Sequence, residues 1–255
     1  MILSIPNKDE IVQSIGDLFG SALFNYPEKI LSALIVIDKE LIKGNKIINE
    51  VVHQETDELC RFVNNFSDYI NQTQDKSQRA RLEVLLYCHI MEADLPMTVI
   101  WNLLHILTNE PIEWTFKALI PWKKKTVVCE HPSEKIEDIK RLSNLSRQRI
   151  GNILERLWCP NLRNAFSHSQ YIIGGNYFMP SGWLSPLSRK RKEDITPYTF
   201  DEIDLLYSGV RELLFSFINA YKMTILPFKD ERAYQIDDGF IIWDKKRWIS
   251  FKKIS

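Results

Sequence analysis

The chain has 255 residues, 45% of them hydrophobic, which is long enough to bury a substantial core in one large domain or two small ones. Its 33 basic and 33 acidic side chains give a formal net charge of zero, which excludes a uniformly basic or acidic protein. The longest apolar stretch, residues 33–37, is too short to cross a bilayer, and the four cysteines lack the spacing of a zinc site.

The first 79 residues are predicted to form helices. Apolar side chains recur there at a helical period in three stretches. The first covers residues 11–19, the second begins near Pro27 and continues toward Gly44, and the third covers residues 48–70. The polar segment 71–78 that follows predicts a connection, so we place a boundary at residue 79.

The central part of the chain continues with the same helical period. Helices are predicted to end near Pro96 and before Pro111, and a longer helical segment covers residues 136–157. The last helix has the clearest start, because Thr199 and Glu202 match the capping box, in which each side chain bonds the other's free backbone N–H.

Two segments depart from the helical period. Residues 171–183 and 239–251 have aromatic and β-branched residues around a turn, at residues 174–175 and near 244–247 respectively. Each is predicted to form a small β-hairpin. The predicted fold class is therefore all-α with small β-hairpin additions, divided into an N-terminal helical region at 1–79, a helical domain at 80–225 and a C-terminal tail at 226–255.

Charge is distributed unevenly along the chain. Residues 1–60 are acidic on balance, whereas basic side chains cluster at 123–125, between 140 and 156, and at 189–192. This asymmetry is a weak indication of a polyanionic partner, and solvated helix faces explain it equally well. The first residues lack the basic start and apolar run of a signal peptide, so we expect a cytoplasmic protein with free thiols.

The segment NLRNAFSHSQY, residues 161–171, carries the polar groups of most interest. If a helix runs through residues 161–170, Asn164 and His168 lie one turn apart on one face, and the long Arg163 side chain can reach them. A guanidinium is always charged and binds phosphate bidentately, and an imidazole titrates near neutral pH. Cleavage of an RNA phosphodiester needs both properties. Spacing alone nevertheless favours the ordinary alternative of a surface or capping arginine and histidine.

The sequence Arg-Asn-Ala-Phe-Ser-His at 163–168 resembles the hallmark of the HEPN superfamily, in which a polar residue follows an arginine and a histidine comes after four to six intervening residues. The context is similar too, because the motif follows a predicted long helix and has apolar neighbours such as Leu162 and Ala165. The resemblance covers about residues 80–225. It implies a HEPN-like helical bundle, a metal-independent endoribonuclease activity, and two units paired so that their motifs face one cleft.

Roles for individual residues follow from this resemblance. His168 corresponds to the general base or acid, Arg163 stabilises the phosphorane and Asn164 orients. Some family members add an acidic residue from an earlier helix. Glu92 is the candidate here, although a solvated side chain near a helix end is an equally good interpretation. The implied partners are an RNA substrate, a second copy of the chain, and an antitoxin or activator protein, in phage defence or as a regulated toxin, with no cofactor.

Other residues give weaker indications. His89 and His105 lie in apolar stripes and are expected to be core or interface histidines, and His131 is expected to have no chemical role. The aromatic and basic residues at 243–248 could clamp single-stranded RNA, but we favour a role in capping a core or joining subunits. Because acidic residues and histidines are dispersed, we expect no divalent-metal site, and the RNA's own 2′-hydroxyl is the expected nucleophile.

Two alternatives stay open. The chain could be a non-catalytic HEPN module that binds RNA, a nucleotide or a partner protein. It could also be a helical interaction protein in which the motif is a coincidence. An intact arginine–histidine pair argues against the first of these alternatives.

Overall fold

The computed structural model describes the side chains of residues 4–34, 57–112, 131–180 and 197–228, and the backbone also of residues 50–56, 117–120, 125–128, 233–236, 239–243 and 249–253. The helices in these ranges are α1 (Lys8–Asn25), α2 (Ile30–Leu34), α3 (Glu50–Gln72), α4 (Lys76–Met91), α5 (Asp94–Thr108), α6 (Pro132–Leu145), α7 (Ile150–Leu157), α8 (Pro160–Ser167) and α9 (Phe200–Ile225). The strands are β1 (Lys117–Ile120), β2 (Lys125–Val128), β3 (Tyr171–Gly174), β4 (Tyr177–Pro180), β5 (Tyr198–Thr199), β6 (Ala233–Ile236), β7 (Gly239–Trp243) and β8 (Ile249–Lys253).

The predicted fold class is confirmed as a mostly helical chain with small antiparallel sheets. Strand β1 pairs with β2, and the other strands form two three-stranded sheets in the orders β3-β4-β5 and β6-β7-β8. Strands β3 and β4 are joined by Gly175 and Asn176, and Gly175 has a φ of 59°, a conformation that glycine adopts without strain. In the second predicted hairpin, Trp243 of β7 pairs with Ile249 of β8, and the turn between them lies outside the described residues.

One hydrophobic core unites the helices from both ends of the chain. Helix α9 packs along α1 and along α4, and α5 packs against α1 and α6. Phe19 of α1 meets Phe217 of α9 edge to face, with ring centroids 5.9 Å apart. The division of the chain at residue 79 stays a prediction, but this core contains residues from both sides of it.

The polar connection predicted at 71–78 is shorter than expected. Helix α3 continues to Gln72, and the Asp75 side chain caps α4 by accepting hydrogen bonds from the backbone N–H groups of Ser77 and Gln78. Helix α9 begins as predicted. Thr199 Oγ1 accepts a hydrogen bond from the Glu202 N–H at 3.1 Å, and Glu202 Oε2 accepts one from the Thr199 N–H at 2.8 Å. The continuation of the second predicted helix beyond Leu34 lies outside the described residues.

The prediction of one long helical segment over residues 136–157 is wrong, because α6 and α7 are separate helices. Helix α6 ends with Arg147 in the left-handed region, at a φ of 58°. The Gln148 N–H then donates to the Ser143 carbonyl at 2.8 Å, and the Arg147 N–H donates to the Asn144 carbonyl at 3.3 Å. This pair of bonds is a Schellman ending, which usually has glycine at the left-handed position.

Among the described residues, no single helix has both the length and the apolarity needed to cross a membrane. Helices α4 and α5 together reach the required apolar length, but the chain bends by 43° between them. The side chains of α5 from Leu95 to Ile106 are buried.

Candidate functional site

The arginine–histidine motif lies on the short helix α8 and its C-terminal capping residue. Pro160 occupies its first position, where a backbone N–H would have no intrahelical partner and its absence costs nothing. Leu162 and Ala165 are buried, whereas Asn164 and His168 are exposed. The helix therefore buries its apolar side, and its polar side faces solvent.

The prediction that this helix continues to Gln170 is wrong, because α8 ends at Ser167. Ser169 adopts a φ of 52°, the Gln170 N–H donates to the Ala165 carbonyl at 2.7 Å, and the Ser169 N–H donates to the Phe166 carbonyl at 3.0 Å. This is a second Schellman ending without glycine. His168 is the capping residue, and its N–H donates to the Asn164 carbonyl at 3.1 Å, so the two residues are still one turn apart.

The Arg163 guanidinium joins the motif to helix α4. Its Nε donates a hydrogen bond to Glu92 Oε1 at 2.6 Å, and its Nη1 donates to Asn164 Oδ1 at 3.2 Å. Glu92 is the residue that ends α4, so its carboxylate projects from the helix terminus beside α8. The structure thus brings together Arg163, Asn164 and Glu92, which are three of the four residues predicted for the site.

The Arg163–Glu92 ion pair is partly open to solvent. The side chains are 21% and 36% exposed, respectively. The hydrogen bond to Glu92 raises the pKa of the Arg163 guanidinium, which keeps it protonated. Within the described part of the chain, Nη2 has no hydrogen-bond partner. The guanidinium can therefore donate from Nη2 to an incoming anion without losing either contact.

A buried thiol lies close to this ion pair but is unsuited to act as a nucleophile. Burial raises the pKa of Cys88 to about 12, and the nearby Glu92 carboxylate acts in the same direction. The Arg163 charge opposes these effects without overcoming them. Because the thiolate is the reactive form, Cys88 stays neutral and unreactive at physiological pH.

His168 is the fourth predicted site residue and stands apart from the contact network. Its side chain is exposed, and among the described residues no hydrogen-bond partner of its imidazole is found. The imidazole is therefore accessible from solvent at the end of α8.

The remaining histidines differ in their surroundings. His89 is exposed on α4, with its ring 5.9 Å from that of Phe62, so a core position is wrong there and the alternative of an interface histidine stays a prediction. His105 is buried as expected, with its ring 4.2 Å from that of Trp101 and Nδ1 bonded to the Pro111 carbonyl. His131 is exposed at the start of α6, and its side chain makes no capping bond.

The basic side chains between residues 140 and 156 are mostly partners of acidic residues in the same bundle. Arg149 pairs with Asp17 at 2.7 Å and Arg156 pairs with Glu10 at 3.1 Å. Lys140 pairs with Glu155, and Arg141 pairs with Glu110 and Asp138. These pairs account for the predicted basic cluster without a polyanionic partner. The side chains at 123–125, 189–192 and 243–248 lie outside the described residues.

Sequence reasoning missed one residue that contacts the motif helix. The Tyr87 hydroxyl accepts a hydrogen bond from the Cys159 N–H at 2.7 Å and donates one to the Leu157 carbonyl at 3.0 Å. The helical period predicted for this part of the chain does not show which backbone groups a tyrosine hydroxyl meets.

Comparison with known proteins adds no assignment. No protein-family model, curated protein or solved structure matches this chain. The resemblance to HEPN proteins therefore depends on residues 163–168 and their helical context. Across the described ranges, no group of three or more histidine, cysteine, aspartate or glutamate side chains is arranged to hold a metal ion.

Proposed function

We propose that this chain is an endoribonuclease of the HEPN type, which cleaves RNA by attack of the 2′-hydroxyl and uses no metal ion. The observation that carries the proposal is the contact of Arg163 with both Glu92 and Asn164. Glu92 was selected from the sequence as the acidic residue of the site, and it is 71 positions away from Arg163. The contact supports the proposal because it joins the acidic candidate to the arginine of the motif.

Arg163 is the group that binds the phosphate. Its Nε donates to Glu92 and its Nη1 donates to Asn164. These two hydrogen bonds fix the plane of the guanidinium. The Nη2 group donates to a phosphate oxygen, and its charge stabilises the negative charge that develops on the phosphorane. In this account Glu92 and Asn164 orient Arg163 and do not touch the substrate.

His168 is the group that moves the proton. Its imidazole is exposed on the last turn of the helix that carries Arg163, so it can reach a 2′-hydroxyl or a leaving 5′-oxygen of an RNA strand bound there. The reaction needs both a base and an acid, and one motif supplies one histidine. A homodimer with a shared cleft supplies the second. The resemblance further suggests a cytoplasmic role in phage defence or as a regulated toxin.

One observation favours the second candidate function, a non-catalytic HEPN module that binds RNA, a nucleotide or a partner protein. Glu92 largely neutralises the charge of Arg163, and most basic side chains between residues 140 and 156 are paired internally. A site with few free cations binds a polyanion weakly. Retained binding without cleavage by the purified protein would favour this candidate.

The test is cleavage of labelled RNA by purified wild type, His168→Ala and a matched control, His131→Ala. Both histidines are exposed next to a helix terminus, so both substitutions are expected to leave the fold intact. The proposal predicts cleavage by wild type and His131→Ala and none by His168→Ala. Equal cleavage by all three proteins would contradict it, since the activity would then come from elsewhere or from a contaminant.

A further inference from the structure

We propose that Tyr87 is a positioning residue for the Arg163 site, which acts by fixing the start of helix α8 relative to helix α4. The inference deepens the proposed function and rests on it for its catalytic consequence. Its structural consequence, the placement of the Arg163 guanidinium, can be measured whether or not the protein cleaves RNA.

One buried hydroxyl bonds the backbone on both sides of the junction between α7 and α8. Tyr87 Oη accepts from the Cys159 N–H at 2.7 Å and donates to the Leu157 carbonyl at 3.0 Å. The ring of Tyr87 is 1% exposed, so no water replaces these bonds without repacking. Both backbone groups belong to the short turn that directs the chain from α7 into α8.

Trp158 also anchors this turn, since its Nε1 donates to Ser133 Oγ at 3.0 Å, but among the described residues Tyr87 is the side chain that bonds the backbone of the turn. Cys159 precedes the first residue of α8 and makes no side-chain capping bond, and Pro160 has no backbone N–H to donate. Burial raises the pKa of the Cys159 thiol to about 11, and the neighbouring hydroxyls of Tyr198 on β5 and Tyr87 on α4 act in the opposite direction. The backbone at the start of α8 therefore depends on the Tyr87 hydroxyl for its side-chain hydrogen bonds.

The Cys159 backbone is linked directly to the functional arginine. The Arg163 N–H donates to the Cys159 carbonyl at 3.1 Å, as the first turn of the helix requires. A displacement of Cys159 consequently moves Arg163. Tyr87 lies on α4 and Glu92 is its C-cap residue, about 7.5 Å further along the axis, so one helix sets both the start of α8 and the orientation of its arginine.

Removal of the Tyr87 hydroxyl should loosen this arrangement while preserving the core. Tyr87→Phe keeps the ring but leaves the Cys159 N–H and the Leu157 carbonyl without their partner. The turn is then expected to shift until these groups find other partners, and the Arg163–Glu92 hydrogen bond lengthens or becomes intermittent. A small misplacement of a phosphate-binding group lowers kcat more than it lowers substrate affinity.

Tyr221→Phe is the matched control. Tyr221 is also buried, on α9, and its hydroxyl donates to the Leu34 carbonyl at 3.2 Å, where α9 packs against α2. Both variants lose one buried hydroxyl and retain the ring. A general loss of stability therefore affects both, whereas a loss of Arg163 placement affects only Tyr87→Phe.

The first readout is the ¹⁵Nε–¹H NMR signal of Arg163, which the Glu92 hydrogen bond shifts and protects from exchange. We expect this signal to move or broaden in Tyr87→Phe and to stay as in wild type in Tyr221→Phe. The second readout is RNA cleavage, in which kcat should fall by about tenfold or more in Tyr87→Phe with KM little changed. If Tyr87→Phe does not fold, Tyr198→Phe takes its place, because it removes the other hydroxyl beside Cys159.

An Arg163 signal that is unchanged in the folded variant, or equally changed in Tyr221→Phe, would overturn the inference. A shifted signal in a chain that cleaves no RNA, even as wild type, would retain the positioning role and reject the proposed function. A fall in KM and kcat together in both tyrosine variants would indicate a general structural effect and also count against it.

Discussion

The Arg163 guanidinium donates from Nε to Glu92 Oε1 over 2.6 Å, and so connects the helix that carries the motif to the end of α4. The contact uses the side of the guanidinium near its stem and leaves Nη2 open. A carboxylate in this position orients the arginine without occupying the nitrogen that would meet a phosphate. The same carboxylate lowers the local positive charge, so orientation is gained at some cost in affinity for an anion.

Arg163→Lys should abolish most cleavage although it conserves the charge. A lysine ammonium is a single donor centre and cannot bind Glu92, Asn164 and a phosphate from fixed, coplanar positions. We expect cleavage to fall by about tenfold or more, with RNA affinity close to that of wild type. Rates at saturating RNA, with binding measured separately by filter retention, check this. Wild-type rates for Arg163→Lys would show that charge alone suffices and that the Glu92 contact has no role in orientation.

RNA binding should weaken as salt rises and should survive the loss of the histidine. Phosphate contacts release counterions, so affinity falls with salt in proportion to the number of contacts made. His168→Ala removes no phosphate contact and is expected to keep the wild-type affinity and salt dependence, whereas Arg163→Ala is expected to reduce both. Fluorescence anisotropy over a salt series measures this. Abolished binding in His168→Ala would instead assign the histidine a structural role.

The protein is predicted to be a dimer in solution at micromolar concentration. Within the proposed mechanism, one copy supplies one His168, whereas proton transfer to and from the RNA uses a base and an acid. A two-fold contact that brings two α8 helices to one cleft supplies both. Multi-angle light scattering with a parallel activity assay tests the prediction. A fully active monomer would contradict it and would direct attention to the exposed His89 on α4 as the second proton carrier.

Stability should depend on pH through Glu83, away from the motif. Its side chain is 2% exposed and accepts from Arg79 Nε at 2.7 Å, while Arg79 Nη2 donates to Asp204. Burial raises the pKa of Glu83 to about 7 from an ordinary value of 4.5; the Arg79 contact opposes this and the Asp204 charge adds to it. Because the folded-state pKa is the higher one, the contribution of Glu83 to stability is full below about pH 4.5 and is lost as the pH rises through about 7.

Glu83→Gln should therefore gain stability relative to wild type as the pH rises. The rise in the pKa of Glu83 from 4.5 to about 7 lowers the unfolding free energy of wild type by up to about 3 kcal/mol between a pH below 4.5 and a pH above 7. Urea unfolding of both proteins at several pH values between about 5 and 8 measures it, with the exposed Glu137→Gln as control. A constant difference between Glu83→Gln and wild type would show that Glu83 does not titrate in this range.

The sequence predicted correctly those elements whose formation depends on residues close together in the chain. The capping box at Thr199 and Glu202, the β3–β4 hairpin around Gly175 and the helical period of α9 each depend on residues close in sequence. The helix ends after Leu145 and Ser167 could not be predicted in the same way. Their left-handed positions hold Arg147 and Ser169, and these residue types rarely mark a Schellman ending.

The site was predictable as a set of residues but not as a contact network. The motif identified Arg163, Asn164 and His168, and the sequence offered Glu92 as one acidic residue near a helix end. Whether that carboxylate reaches Arg163 depends on how α4 and α8 pack, which no local pattern encodes. The same limit applies to Arg149 and Arg156. Their charges were a weak indication of a polyanionic partner, equally well explained by solvated helix faces, and their acidic partners, Asp17 and Glu10, come from α1.

The most direct test of the account is the end-group chemistry of RNA cut in excess chelator, compared with the same strand carrying a 2′-deoxy residue at the cut site. Attack by the 2′-hydroxyl without a metal ion predicts a 2′,3′-cyclic phosphate on one fragment, a 5′-hydroxyl on the other, and an intact deoxy strand. Cleavage of the deoxy strand, 5′-phosphate ends, or loss of activity in chelator would contradict the account.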